Sequence, residues 1–126
     1  MTITIETLKK NKLIHLPLFY LQKDCNPFTT CPWNCGKITK EEITQAIALK
    51  QFSNKPVIDT EPKAKHIARI AWLVVHKDDK AVELAVGNPS FHWFINDGNH
   101  RIAAAIYRND AFILSEISVF NTKRTC

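Results

Sequence analysis

The feature that most restricts what this chain can fold into is the transition at Ile95-Asn-Asp-Gly-Asn-His-Arg101, where a period-two apolar pattern gives way within a few residues to a helix-forming one. Before it, Phe91, Trp93 and Ile95 alternate with His92, Phe94 and Asn96, as in a half-buried strand. After it, Arg101-Ile-Ala-Ala-Ala-Ile-Tyr-Arg108 joins strong helix formers to an apolar stripe of Ile102, Ala105 and Ile106. A chain passing from strand to helix this quickly must turn tightly, and Gly98 supplies the positive φ and close backbone approach that such a turn requires. Asn99 is placed to act as the helix N-cap.

The neighbouring segments fit an α/β (α+β) domain. Val82, Leu84 and Val86 alternate with Glu83 and Ala85, and Gly87-Asn-Pro-Ser90 closes that strand, so the strand at residues 91–96 should return antiparallel to it. The β-branched and aromatic run Ala111–Phe120 predicts a last strand, and Leu13–Leu16 a first extended segment stopped by Pro17. Thr39-Lys-Glu-Glu42 is a capping box opening a helix over about Lys40 to Phe52, with Ile43, Ala46 and Ile47 on its buried face and Asn54-Lys55-Pro56 ending it. Pro62 starts another helix, about Lys63 to His76, whose buried face by spacing is Ile67, Ile70, Ala71 and Val74. Residues 23–37, rich in Pro, Asn, Thr and Cys, read as an irregular surface loop, and Asn121 to Cys126 as a polar tail. The expected architecture is a small mixed sheet with packed helices in one domain spanning residues 1–126.

At 126 residues and 45% hydrophobic content the chain holds one core, and a second large domain is excluded. Its net charge of +5 favours a phosphate-bearing partner, while the dispersal of its lysines, with a modest cluster at Lys9, Lys10 and Lys12, offers no stripe built for DNA. The start Met1-Thr-Ile-Thr-Ile-Glu6 lacks a secretory pattern and no apolar run approaches the roughly 20 residues of a membrane span, which predicts a cytoplasmic protein with no membrane partner. Cys25, Cys31 and Cys35 are spaced C-x5-C-x3-C, without paired C-x2-C units or a closely following histidine, so reduced loop thiols are expected rather than a zinc site.

The turn itself carries the functional reading. Free amides in a helix's first turn, together with the positive end of its dipole, stabilise a phosphate without side-chain help. Arg101 adds a two-pronged donor, His100 a ring that donates, accepts or carries a proton, and Asp97 a carboxylate able to orient either one or hold a metal ion beside a phosphate. Arg101 also poses a local problem, because a cation in the first turn of a helix sits against the unfavourable end of the dipole and calls for a nearby anion. Either a bound phosphate or an internal partner such as Asp97 or another buried carboxylate answers that need. Asp-Gly-Asn is equally an ordinary turn, and from the residues alone a ligand site and a plain turn stand level.

The segment Ile95-Asn-Asp-Gly-Asn-His-Arg-Ile-Ala-Ala-Ala105 resembles the signature of the ParB/sulfiredoxin superfamily, in which a strand ending in such a run opens the helix that binds a nucleotide phosphate. The resemblance extends through roughly Asn54 to Phe120 in element order and is strongest over the signature. It implies that Gly98, Asn99, His100 and Arg101 line a phosphate site, that Ala104 packs the helix on the sheet, and that the ligand is a nucleotide such as ATP or CTP with Mg2+. Sulfiredoxin chemistry is not implied, because Asn99 stands where that family's catalytic cysteine precedes the signature histidine. Six polar residues follow Phe120 in place of a helix-turn-helix, so the chain is similar to a stand-alone nucleotide-binding domain of the kind found in phage and plasmid accessory proteins.

Two alternatives remain open at this point. One is a metal-dependent DNA nuclease, with Asp97, His100 and a distant Glu gathering a divalent ion. The other is a non-enzymatic interaction or inhibitor protein. His66 and Arg69, three apart on the polar side of the second helix, read first as a solvated face and second as neighbours of the phosphate site. Trp33, Trp72 and Trp93 read as core before base-stacking platforms, and Glu41 and Glu42 as candidate acids or bases, with capping sufficient to explain Glu42.

Overall fold

The computed structural model describes residues 3–121, and four of its segments pair into one mixed sheet: β1 (Leu13–Pro17), β2 (Val82–Asn88), β3 (Trp93–Asp97) and β4 (Phe112–Asn121). Their spatial order is β1-β4-β2-β3, with β4 antiparallel to β1 and parallel to β2, and β2 antiparallel to β3. The last strand in sequence thus lies inside the sheet. Pro17, which has no N–H to donate, falls on the edge strand β1, where a proline is tolerated. Alternation decides the faces: Val82, Leu84, Val86 and Ile117 are buried, while Glu83, Phe94, Glu116 and Phe120 are exposed.

Among the described residues there are also six helices: α1 (Ile5–Lys10), α2 (Phe19–Gln22), α3 (Pro27–Thr30), α4 (Lys40–Ala48), α5 (Lys63–Val75) and α6 (Asn99–Arg108). Helix α5 packs against both α4 and α6. Helix α6 buries five consecutive residues, Ile102 to Ile106, because its three alanines let it lie close to its surroundings; Ala104 is among them. The mixed sheet with packed helices agrees with the α+β expectation. Asn121 belongs to β4, and the rest of the expected polar tail, residues 122–126, lies outside the described residues.

Three local expectations are corrected. Helix α4 opens with the capping box, Thr39 and Glu42 exchanging backbone and side-chain hydrogen bonds, but it closes at Ala48 and not at Phe52. Lys50 takes a left-handed conformation (φ 55°), and the amides of Lys50 and Gln51 donate to the carbonyls of Ile47 and Ala46, a Schellman closure completed before Pro56 is reached. The segment 23–37 is not a plain surface loop. It contains α3 and buries Cys25, Phe28 and Trp33, whose apolar area is worth more inside than the loop's polar composition suggests.

The third correction concerns α5. Its fully covered stripe is His66, Arg69, Ile70, Ala71 and Leu73, while Ile67 and Val74 are only half-buried. The helix is therefore rotated relative to the face that hydropathy alone selects, and two polar side chains point inward.

Candidate functional site

The chain leaves β3 at Asp97, turns at Gly98 and enters α6 at Asn99. Gly98 has φ 119°, a region side chains avoid, and a Cβ on it would lie 2.6 Å from Val82 Cγ1 and 2.8 Å from Val82 Cβ. Glycine is required twice over: by the turn and by the approach to β2. Gly98, not Asn99, is the N-cap. Its carbonyl accepts from the Ile102 amide at 2.9 Å, Asn99 is the first helical residue, and no side chain caps the helix. The first-turn amides are thereby left without a side-chain acceptor at this end.

Arg101 falls at the third helical position, and its anion is Asp78, in the turn before β2. Nε reaches Asp78 Oδ1 at 3.0 Å and a terminal nitrogen reaches Oδ2 at 2.9 Å, a two-pronged pair. The hydrogen bonds from Arg101 hold the Asp78 carboxyl below its usual range, against the opposing pull of burial. The dipole argument for an anion near Arg101 is met, but the partner is neither Asp97 nor, of necessity, a ligand. Asp97 is exposed.

His100 faces His66 of α5. His66 Nδ1 and His100 Nε2 are 2.9 Å apart, with ring planes 3° from parallel. His66 is fully buried, its Nε2 has no partner, and Trp33 packs against both rings at centroid distances of 5.7 and 4.9 Å. Burial, followed by the presence of His66, Arg69 and Arg101, pushes His100 down to about 4, so it is neutral at pH 7.

Arg69, one turn along α5 from His66, is 6% exposed and has no carboxylate within ion-pair distance among the described residues. Its guanidinium donates one long hydrogen bond, 3.4 Å to the Ser53 carbonyl, and lies 5.1 Å from the Trp72 ring. Burial and then the Arg101 charge push its pKa down, against the opposing pull of the Asp78 carboxylate. Arg69, His100 and the Asp97-to-Arg101 turn line one cleft of about 310 Å³, with Trp33, Pro56 and Val57 on its apolar side and Asp59 and Lys80 on its polar side. Leu73, Lys80 and Arg101 also border a smaller hollow of about 130 Å³.

Set against known proteins, the chain matches no family model, no curated protein and no solved structure. Its site is therefore read from its own geometry.

The structure brings Asp97, Gly98, Asn99, His100 and Arg101 to a single cleft with Arg69, and His66 lies buried against His100 behind the lining. The spacing of residues 63–76 ranks these last two as solvated, since a hydropathy stripe counts His and Arg as outward. A stripe begun at His66 (66, 69, 70, 73) is the one buried, and its signal in the sequence is that His66 and Leu73 are a full two turns apart on one face. Trp93 is core, Trp72 stacks on His76, and Trp33 belongs to the cleft. Glu42 is occupied by its capping box and by Lys63 at 3.0 Å, and Glu41 is exposed.

The thiols differ from one another. Cys25 is buried and donates to the Trp93 carbonyl at 3.2 Å, and burial pushes it up to about 11, so it is a protonated core residue. Cys31 and Cys35 are free and partly exposed, and Cys126 lies outside the described residues. Among the described residues no three His, Cys, Asp or Glu side chains gather as metal ligands, and no helix is long and apolar enough to cross a membrane.

Proposed function

We propose that this chain is a nucleotide-binding protein of ParB/sulfiredoxin type that holds a phosphate in the cleft beneath Gly98, Asn99 and His100. The observation that carries the reading is Arg69, a cation almost removed from water that, among the described residues, has no carboxylate within ion-pair distance, only the more distant charge of Asp78, and makes one long hydrogen bond. A buried charge left in this state is costly, and an anion in the adjoining cleft is what relieves it. The residues that open α6 line the same cleft, and their amides, with no side-chain cap, supply the dipole half of the site. Neutral His100 adds a ring nitrogen able to meet a phosphate oxygen. Arg101 acts through Asp78, as the strut that fixes the first turn of α6 in place.

The volume of about 310 Å³ sits at the lower end of the roughly 300–1,000 Å³ typical of ligand sites, which suits a single nucleotide better than a polymer. The apolar wall of Trp33, Pro56 and Val57 offers a surface for a base or sugar. Asp59 and Asp97, both exposed on the cleft lining, are the carboxylates available to a magnesium ion carried in on phosphates.

Thermal shift and calorimetry with AMP, ATP and CTP, each with and without magnesium, test the reading, since a ligand that binds only the native state raises its melting point. In Arg69→Gln the affinity of the nucleotide that binds should fall by about 1.5–3 kcal/mol, the worth of a charge-assisted hydrogen bond. The empty variant should be as stable as the parent or more so, because a buried charge without a direct ion pair is gone. Unchanged nucleotide affinity in Arg69→Gln, or no response to any nucleotide, sinks the proposal.

A further inference from the structure

The contact between His66 Nδ1 and His100 Nε2 at 2.9 Å is a hydrogen bond only while one proton lies between those atoms. The neutral pair satisfies this, and so does the pair carrying one extra proton, with the charged ring donating to the neutral one. A second extra proton would set two N–H groups head to head. The pair is thus built to hold one extra proton and no more, and it lies where His100 enters the cleft lining.

The groups facing the pair are few. From α5 come His66 and Arg69; from α6, His100 and Arg101; from the turn before β2, Asp78, paired to Arg101, and Lys80. Asp97 at the end of β3 and Asp59 from the connection between α4 and α5 line the cleft from exposed positions, and segment 23–37 contributes the uncharged Trp33. With Asp78 taken as the partner of Arg101, the remaining charges on the lining, Arg69 and Lys80 against Asp59 and Asp97, cancel. A dianion entering such a cleft brings more charge than the fixed groups offset. The group able to supply the missing positive charge is the histidine pair.

Resting on the phosphate-site reading above, we propose that the cleft selects a dianionic group, the terminal phosphate of a monoester, and that binding it draws one proton from solvent onto the His66–His100 pair. No bond to phosphorus forms or breaks; a proton moves from water to imidazole, and one ring becomes imidazolium. Coulomb attraction scales with ligand charge, so a monoanionic phosphodiester gains far less from that proton than a monoester does. Linkage is reciprocal: if the anion raises the proton affinity of the pair, the proton raises the affinity for the anion by the same factor. The low basicity of His100 in the empty cleft, imposed by burial, then by His66 and by its cationic neighbours, is what leaves its ring neutral and ready to accept.

Sulfate is the probe, because it is a tetrahedral dianion that does not itself titrate between pH 5.5 and 7.5, and dimethyl phosphate is its monoanionic counterpart. Calorimetric titration of the full chain should show sulfate affinity rising as pH falls across that range, toward a limit of about tenfold per pH unit for uptake of one proton. Heats measured at pH 6 in two buffers of different ionisation enthalpy should report proton uptake with sulfate and distinctly less with dimethyl phosphate. In His100→Gln, sulfate should still bind through Arg69 and the α6 amides, with no pH dependence; His66→Phe, which removes the buried partner, gives a second variant if the first fails to fold. Sulfate binding that is flat with pH in the parent protein, or equally steep in His100→Gln, overturns the proton-coupling proposal while leaving the phosphate site standing. Absence of sulfate binding also overturns it, and the phosphate site falls with it only if the nucleotide titrations fail as well.

Discussion

Gly98 shows how far a single residue can be read before the fold is known. The need for a glycine follows from the suddenness of the strand-to-helix change, and the structure adds a reason invisible in sequence: the flank of Val82 fills the space a Cβ would occupy. Gly98→Ala should therefore destabilise the protein by roughly 2–4 kcal/mol, combining left-handed backbone strain with overpacking. Urea denaturation of Gly98→Ala and of the double variant Gly98→Ala/Val82→Ala checks this. The double variant should lose less than the two single losses added together, since shortening Val82 relieves the collision and leaves the backbone strain in place. A Gly98→Ala protein as stable as the parent would mean that β2 and the turn are not packed in this way. Asn99 marks the limit of such reading. Its type is right for an N-cap, but the positive φ of Gly98 starts the helix one residue earlier, and residue preference does not resolve a shift of one position.

At the scale of elements, the legible features are those whose signal is local. The capping box of α4, the hairpin of β2 and β3, and the helix after the signature turn are written in consecutive residues. The rotation of α5 is not, because His66 is met by Trp33 and His100, which arrive from distant parts of the chain. The partner of Arg101 is hidden for the same reason: the dipole argument demands an anion, and Asp78, 23 residues away, is identified only once the turn before β2 is folded against α6. That pair joins two elements and can be tested as such. Arg101→Ala should cost about 1.5–3 kcal/mol, because Asp78 is left partly buried without its donor. Asp78→Asn/Arg101→Ala should lose less than the sum of the single variants, with a coupling of about 0.5–3 kcal/mol in a double-mutant cycle. Additive losses would show that the two side chains do not depend on each other in solution.

For the molecule as a whole, the strands and the helices α4, α5 and α6 are legible from alternation and spacing, whereas the short helices α1, α2 and α3 and the strand order are not, since placing β4 between β1 and β2 is a non-local outcome. The polar interior at the junction of α5 and α6 was equally hidden, and it ties global stability to pH. His100 has an ordinary value of 6.5 and a folded value of about 4, so the unfolded chain binds more protons than the native one between those limits. The sign follows: the contribution of a neutral His100 is complete above pH 6.5 and is lost progressively as pH falls toward 4, where the native ring would also have to charge. At about 1.4 kcal/mol per pH unit, the empty protein should lose about 3 kcal/mol over this range from His100 alone. Urea midpoints at pH 7, 5.5 and 4.5 measure the loss, and His100→Gln, which cannot titrate there, should flatten the curve. Saturating sulfate should flatten it too, because the bound dianion stabilises the protonated pair and brings the folded value back toward that of the unfolded chain. A stability profile equally steep with and without His100 would assign the acid sensitivity to other groups and remove the histidine pair from the energetics of the fold.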